Sequence, residues 1–299
     1  MSRNIGVIGL GAMGRGMAGS LRRAGYLVHV CDVRFEAAQA FAADGGVACA
    51  TPAEVAVQCE VIVSVVVNAA QTEAVLFDSG GPGGAAAAMR PGSVFVMCST
   101  VDPNWSIATE QRLADLGLLY LDAPISGGAA RAASGEMTMM TAGRPEAYAK
   151  VGAALDAMAA KVYRLGDKAG AGSKVKIINQ LLAGVHIAAA AEAMALGLRE
   201  GVAADALYEV ITHSAGNSWM FENRMAHVLA GDYTPLSAVD IFVKDLGLVL
   251  DTARASKFPL PLASTAHQMF MQASTAGHGR EDDSAVIKIF PGIDLPPGK

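Results

Sequence analysis

The hydrophobic pattern of the chain changes near residue 166, and that change limits the available folds more than any single motif. Before it, short apolar runs at residues 5–8, 27–31, 61–67, 94–97, 118–121 and 137–140 alternate with helical patterns at 12–24, 35–43, 52–58, 104–116 and 145–158. Runs without polar alternation read as strands buried on both faces, and the helices between them supply the two covering layers. Residues 1–165 are therefore expected to form an α/β domain on a doubly wound, mostly parallel sheet. Thr51-Pro52-Ala53-Glu54 marks one boundary clearly, with a threonine N-cap, proline in the first helical position and a glutamate closing a capping box. Gly80-Gly81-Pro82-Gly83-Gly84 reads as a loop within this domain, because strand-like sequence resumes after it. Beyond residue 166 the strand signal stops. Helical periods at 173–200, 204–214, 219–230, 239–256 and 260–276 predict an all-α domain over 166–299, opened by one long helix and closed by a loose Pro/Gly-rich tail at 291–299.

Composition narrows the class of partner. With 52% hydrophobic and 17% charged residues among 299, the chain can bury a large core and is not a disordered one. A net charge of −5 argues against nucleic acid or an anionic membrane as the main partner. Cys31, Cys49, Cys59 and Cys98 lie in apolar segments without metal-like spacing, as free thiols in a reducing compartment do. Met1-Ser2-Arg3-Asn4 passes directly into a strand pattern, so the expectation is a cytoplasmic chain without a signal peptide. The apolar stretch 181–198 has membrane-like length, but His186 and Glu192 interrupt it and a core helix reads the same way. His186, His213, His227, His267 and His278 have no ligand spacing, and no metal is expected. Met137, Met139 and Met140 read as core.

Gly9-Leu10-Gly11-Ala12-Met13-Gly14 follows the first strand pattern and opens the first helix. In that setting the first glycine makes the tight turn, the second lets backbone approach a pyrophosphate, and the third lets the helix pack on the strand. The phosphates would meet the helix N-terminus, where free N–H groups and the helix dipole favour an anion. Asp32, at the end of the second strand, is placed to accept hydrogen bonds from both ribose hydroxyls and to repel a 2′-phosphate; the alternative is that it caps the next helix. Arg34, beyond Val33, could meet a 2′-phosphate, and the acidic strand tip ranks NAD above NADP. Val67 and Asn68, ending the run 61–67, join the expected cofactor set from the same sheet edge.

Two further segments carry chemistry. In Gly170-Ala-Gly172-Ser173-Lys174-Val-Lys176-Ile-Ile-Asn179-Gln180, a glycine-rich lead-in opens an apolar helix, and Lys176, Asn179 and Gln180 share one face. A lysine drawn toward an apolar site is a candidate general acid or base; otherwise it snorkels to solvent and the amides cap neighbouring backbone. Asp122-Ala-Pro-Ile-Ser126-Gly127-Gly128 follows a strand on the ligand side of a doubly wound sheet. Ser126 and the glycine N–H groups there would surround a carboxylate, or the glycines are simple turn punctuation.

Taken in order, Gly9-x-Gly11-x-x-Gly14, Asp122 to Gly128, Gly170-x-Gly172 through Lys176-x-x-Asn179-Gln180, and Lys244-Asp245-Leu-Gly-Leu248 with Asp251 resemble the β-hydroxyacid dehydrogenase family over essentially the whole chain. The resemblance implies an N-terminal Rossmann domain, a C-terminal helical domain and an active site in the cleft between them. It implies Lys176 as the catalytic lysine, Ser126, Gly127 and Gly128 around the substrate carboxylate, Thr100 beside the nicotinamide and Lys244 reaching over the cofactor. Many members carry two asparagines where this chain has Asn179 and Gln180, so which amide holds a substrate hydroxyl stays open. Residues 127–131, 135–140, 214–224 and 279–283 resemble the branch acting on L-threonate. That likeness implies oxidation of the C2 hydroxyl to the 2-oxo acid, with Asn217, Trp219 and Asn223 along the sugar-acid chain. Tartronate semialdehyde and 3-hydroxyisobutyrate are the alternative substrates. In such chemistry Lys176 takes the hydroxyl proton as hydride leaves, and burial together with Lys244 disfavours its charged form. A non-catalytic dinucleotide sensor on the same fold would be expected to lose Lys176, Ser126 or Lys244, and all three are present. A homodimer or homotetramer is expected.

Overall fold

A computed structural model describes residues 4–78 and 84–298. The chain divides into two compact units, Met1–Lys176 and Ile177–Lys299. The division falls inside the helix Ala171–Arg199.

Among the described residues, the first unit holds a nine-stranded sheet with strands β1 (Asn4–Ile8), β2 (Leu27–Cys31), β3 (Val47–Ala48), β4 (Val61–Ser64), β5 (Val94–Met97), β6 (Leu119–Asp122), β7 (Ile125–Ser126), β8 (Met137–Gly143) and β9 (Ala159–Arg164). Their order is β3-β2-β1-β4-β5-β6-β8-β7, with β9 beside β8. The first six run parallel. β8 is antiparallel to β6 and β7 and parallel to β9. Because β1 is flanked by β2 on one side and β4 on the other, the chain leaves it in one direction and later returns to the other. The loops after β1 and β4 therefore diverge at a switch point, where open α/β sheets bind ligands.

Both faces of this sheet are buried, as the unbroken apolar runs require. In β5, Val94 and Val96 join a core that includes Met17, Leu21, Phe41 and Leu155, whereas Phe95 and Met97 join a second core with Val55, Leu76 and Leu113. The helices Gly14–Arg23, Phe35–Ala43 and Pro145–Met158 cover the first face, and Pro52–Gln58, Ala69–Phe77 and Pro103–Asp115 the second. The Thr51 hydroxyl accepts the Glu54 N–H and the Glu54 carboxylate accepts the Ala50 N–H, which completes the capping box one residue earlier than its usual form. All four cysteines are buried and free. Burial pushes the Cys31 and Cys59 thiols up to about 12, and Cys98 higher still.

Several elements depart from the expectations. The run 61–67 ends as a strand at Ser64, and Val65 to Val67 leave the sheet for a loop. The helices Ala69–Phe77 and Gly128–Ser134 and the strands β3, β7 and β9 lie in stretches without an expected element. β9 is exposed at most positions after Ala159, so it lacks the apolar signal of the inner strands. Within Asp122–Gly128, Ile125–Ser126 is a strand and Gly128 begins a helix. Of the Gly80–Gly84 loop only Gly84 is described; the rest lies outside the described residues.

The second unit is helical. Ala204–Thr212, Trp219–Ala230, Val239–Ala255 and Pro261–Ala273 pack with the C-terminal part of Ala171–Arg199 around Ile187, Met194, Met225, Leu246 and Phe270. Phe242 and Phe270 stack at 5.1 Å between ring centroids. The last helix passes into a π turn, Ser274–His278, and the stretch after it forms a 3₁₀ segment, Asp283–Ile289, where no element was expected. Arg224 grips buried Asp283 through two guanidinium nitrogens, and this pair fastens the 3₁₀ segment to the helix Trp219–Ala230. Burial pushes the Asp283 carboxyl up to about 6 against the pull of Arg224. Among the described residues, Ala171–Arg199 alone is long and apolar enough to cross a membrane, and 44% of its most apolar window is buried.

Candidate active site

The loop after β1 is built by three glycines with three different physical reasons. Gly9 has a φ of +94°, and a Cβ there would lie 2.7 Å from the Val65 carbonyl oxygen. A Cβ on Gly14 would lie 1.9 Å from the Gly9 carbonyl oxygen, so the helix Gly14–Arg23 sits too close for any side chain. A Cβ on Gly11 would meet nothing within 4 Å. No protein atom thus requires glycine at 11, yet the residue lines an open cavity of about 500 Å³. The same cavity is lined by Gly9, Asp32, Val33, Arg34, Thr51, Val65, Val67, Gln71 and Asp78. No side chain caps the N-terminus of the helix at Met13. Open N–H groups, a glycine facing empty space and an acidic strand tip fit the pyrophosphate and ribose of a nicotinamide dinucleotide.

Asp32 is tied into this loop. Its Oδ2 accepts the Leu10 N–H at 2.7 Å and its Oδ1 accepts the Arg34 N–H at 2.9 Å, with the Arg34 Nε 3.7 Å from Oδ1. The carboxylate staples the glycine loop to the end of β2, and each oxygen retains a second lone pair for a further donor. Neither expected role of Asp32 anticipated this link to Leu10. Across the cavity, Asn68 caps the helix Ala69–Phe77 by accepting the Gln71 N–H at 2.8 Å, and Gln71 Oε1 accepts the Val67 N–H at 2.8 Å. The Ser99 hydroxyl donates to the Val66 carbonyl at 2.7 Å and meets the Thr72 hydroxyl at 3.1 Å, which anchors the segment carrying Thr100 to the same loop. Leu10, Ala12, Met13, Gly14, Asn68 and Thr100 are not on the cavity wall itself. Thr51, Gln71 and Asp78 are on it and were not foreseen, although the helix start at Thr51 marked the end of a strand-connection in the same sheet.

Asp122, at the tip of β6, is fully buried and encloses the start of the long helix. Its Oδ2 accepts the Gly170 N–H at 2.8 Å and the Ser173 N–H at 3.0 Å, and its Oδ1 accepts the Ser173 hydroxyl at 2.7 Å. Burial raises the carboxyl above its ordinary range, while these bonds pull the other way. The glycines of the lead-in are needed to form this wrap. Gly170 has a φ of +100°, and a Cβ on Gly172 would lie 2.4 Å from the Met140 carbonyl oxygen. A carboxylate at a helix N-terminus is also where the dipole stabilises it. One turn further on, Lys176 is 7% exposed, so it does not snorkel to solvent. Ser126 is half-buried and paired in register with Thr138, and Gly127 and Gly128 both have positive φ.

The second unit carries the remaining expected residues. Asn179 is half-buried and Gln180 buried. Gln180 Nε2 donates to Asp245 Oδ2 at 2.6 Å, and the Lys244 ammonium lies 2.6 Å from Asp245 Oδ1. Asn179 Nδ2 donates to Gln180 Oε1 at 3.2 Å. Asn217 Nδ2 donates to the Thr212 carbonyl and the Glu222 carboxylate, so that end of its amide is engaged by the helices on either side of its loop. Trp219 is half exposed at the start of its helix, and Asn223 Oδ1 accepts from Arg224.

Residues 4–166 match the NAD binding domain of 6-phosphogluconate dehydrogenase, and residues 170–290 match the NAD-binding region of NADP-dependent 3-hydroxyisobutyrate dehydrogenase. An L-threonate dehydrogenase of Cupriavidus necator is 73% identical over 296 residues, covering 99% of each chain. The chain belongs to the β-hydroxyacid dehydrogenase family. An L-threonate dehydrogenase of Escherichia coli K12 shares 53% identity with this dehydrogenase, covering 99% of this chain and 97% of its own. The crystal structure of a 3-hydroxyisobutyrate dehydrogenase from Salmonella typhimurium is 56% identical, with a TM-score of 0.91 over 96% of this chain and 99% of that one. The dehydrogenase thus combines a Rossmann domain with a helical C-terminal domain, and it is a nicotinamide-dependent hydroxyacid dehydrogenase.

Proposed function

We propose that this dehydrogenase oxidises L-threonate at its C2 hydroxyl with NAD as acceptor, yielding 2-dehydro-L-erythronate. The observation that carries the substrate is the 73% identity, over nearly all of both chains, to a relative named for that activity. The preference for NAD is supported by Asp32, whose nearly buried carboxylate lines the cavity and would repel a 2′-phosphate. Residues 1–165 act as the cofactor domain and 166–299 as the substrate and assembly domain.

Bound in the cavity, the nicotinamide dinucleotide supplies the hydride acceptor. The protein's task is to take the hydroxyl proton, which the alcohol is far too weak an acid to release unaided. Lys176 does this: it is buried, one turn into a helix whose start Asp122 pins. Ser126 and the Gly127 and Gly128 N–H groups hold the substrate carboxylate, and Asn179 holds a substrate hydroxyl. Thr100 and Lys244 orient the nicotinamide, and Asn217 and Trp219 border the far end of the substrate. In the reverse direction the Lys176 ammonium returns the proton. Exposed Ile178, Leu182, Phe258 and Leu262 on the second unit support self-association into a dimer or tetramer. The four unpaired thiols support a cytoplasmic location.

The test is NADH formation across a panel of L-threonate, 3-hydroxyisobutyrate and the reduced form of tartronate semialdehyde, with NAD and with NADP, on wild type and Lys176→Ala. The expected result is the highest kcat/KM with L-threonate and NAD, and a loss of roughly 10²- to 10⁴-fold in kcat for the variant. Near-normal turnover by folded Lys176→Ala would remove the lysine from its role.

A further inference from the structure

Four side chains of the second unit form one directional chain, Asn179 to Gln180 to Asp245, with Lys244 closing the far end. Asp245 is 1% exposed, and its two oxygens face the Gln180 amide nitrogen and the Lys244 ammonium, so both accept. Gln180 must therefore turn its NH₂ toward Asp245, as the 2.6 Å contact shows. Its carbonyl oxygen then points to Asn179 and can only accept, so Asn179 must give its own NH₂ to Gln180. What remains at the outer end is Asn179 Oδ1, an acceptor. The charge on Asp245 sets the polarity of two amides that would otherwise be free to flip.

We propose that Gln180 and Asp245 are positioning residues that fix Asn179 as a hydrogen-bond acceptor, and so select a substrate bearing a hydroxyl next to the carbon being oxidised. This rests on the reading of Asn179 as the substrate amide. A hydroxyl can donate to Asn179 Oδ1. An oxo group at that position cannot, and a methylene leaves the oxygen unpaired on binding, which is how a polar site rejects an analogue lacking its partner. The same carboxylate holds the Lys244 ammonium, so Lys244 and the substrate amide share one anchor. Gln180 is thereby assigned to orientation.

The variants are Gln180→Leu, which removes the middle of the chain, and Asp245→Asn, which keeps the shape and releases the polarity. The substrates are L-threonate and its 3-deoxy analogue, 2,4-dihydroxybutanoate. Wild type is expected to favour L-threonate by at least about tenfold in kcat/KM, and both variants to lose most of that preference. The two losses should be strongly non-additive in the double variant, because both break one chain. Gln180→Leu should leave NADH affinity close to wild type, whereas Asp245→Asn should weaken it through Lys244. Unchanged preference in both single variants overturns the proposal. A readout independent of turnover is the Asn179 side-chain amide resonance in ¹⁵N-labelled protein, assigned by its absence in Asn179→Asp. It should shift in both variants, and no shift in either also overturns the proposal. If wild type oxidises neither acid while the resonance shifts as expected, the substrate reading fails and the polarity chain stands.

Discussion

Replacing Gly11 and Gly14 separately by alanine separates ligand chemistry from packing within the six residues Gly9–Gly14. At Gly14 the new methyl would sit 1.9 Å from the Gly9 carbonyl oxygen, far inside contact distance, so helix and strand must part. Overpacking of this kind costs about 2–3 kcal/mol, more than enough to lower the melting temperature by several degrees. At Gly11 the methyl meets no protein atom and the backbone φ is not positive, so folding stability should hold or rise by up to about 1 kcal/mol through the unfolded chain. The same methyl occupies the space where the backbone must approach a pyrophosphate. Losing one charge-assisted hydrogen bond there is worth about 1.5–3 kcal/mol, or roughly 10- to 150-fold in Kd. The assays are thermal melting without ligand and titration of NADH fluorescence. Gly11→Ala should melt like wild type and bind NADH poorly; Gly14→Ala should melt early. If Gly11→Ala bound NADH within about twofold of wild type, the loop would not be the pyrophosphate cradle.

Asp122→Ala should destabilise the protein by about 3–5 kcal/mol, because it strands two buried N–H groups and a hydroxyl, whereas Asp122→Asn should cost only about 1 kcal/mol since its amide can serve all three. Urea unfolding of both variants checks this, and equal losses would mean that charge, not hydrogen-bond geometry, holds the helix start. Asp283 has its folded pKa raised from 3.8 to about 6, so its contribution is fully present below about pH 4 and is lost as pH rises through 6. The unfolding free energy of wild type minus that of Asp283→Asn should therefore be larger at pH 5 than at pH 7.5, by about 1 kcal/mol. A difference independent of pH would show that Asp283 does not titrate in this window.

The parts of the fold that were legible in the sequence are those written locally. β2, β5 and the helices Phe35–Ala43, Pro52–Gln58, Pro145–Met158 and Trp219–Ala230 lie where period and capping residues placed them. The helix Ala69–Phe77 carries a readable asparagine cap and a glutamine three residues on, but the preceding valine run drew the strand expectation forward to residue 67. β9 was missed because an edge strand that is largely exposed gives no apolar run. The glycine loop and Asp32 could be found because their chemistry is compressed into a short stretch after a strand. Asp122 could not be assigned as a helix anchor, since its partners lie 48 and 51 residues away. Arg224 and Asp283, 59 residues apart, stood in segments noted only for their likeness to the L-threonate branch, and the structure shows them as a buried clasp. The polarity imposed on Asn179 and Gln180 was equally hidden, because Asp245 lies 65 residues beyond Gln180 and only the folded geometry joins them.

The cysteines offer a use that has nothing to do with catalysis. All four belong to the first unit, all are buried, and burial holds their thiols in the unreactive protonated form. A thiol-specific dye therefore reacts only when that unit opens, while the cysteine-free helical unit stays silent. The rate of dye uptake becomes a clock for the nucleotide half alone, and the protection gained on adding NAD, read without any engineered label, measures how strongly the cofactor holds that half closed.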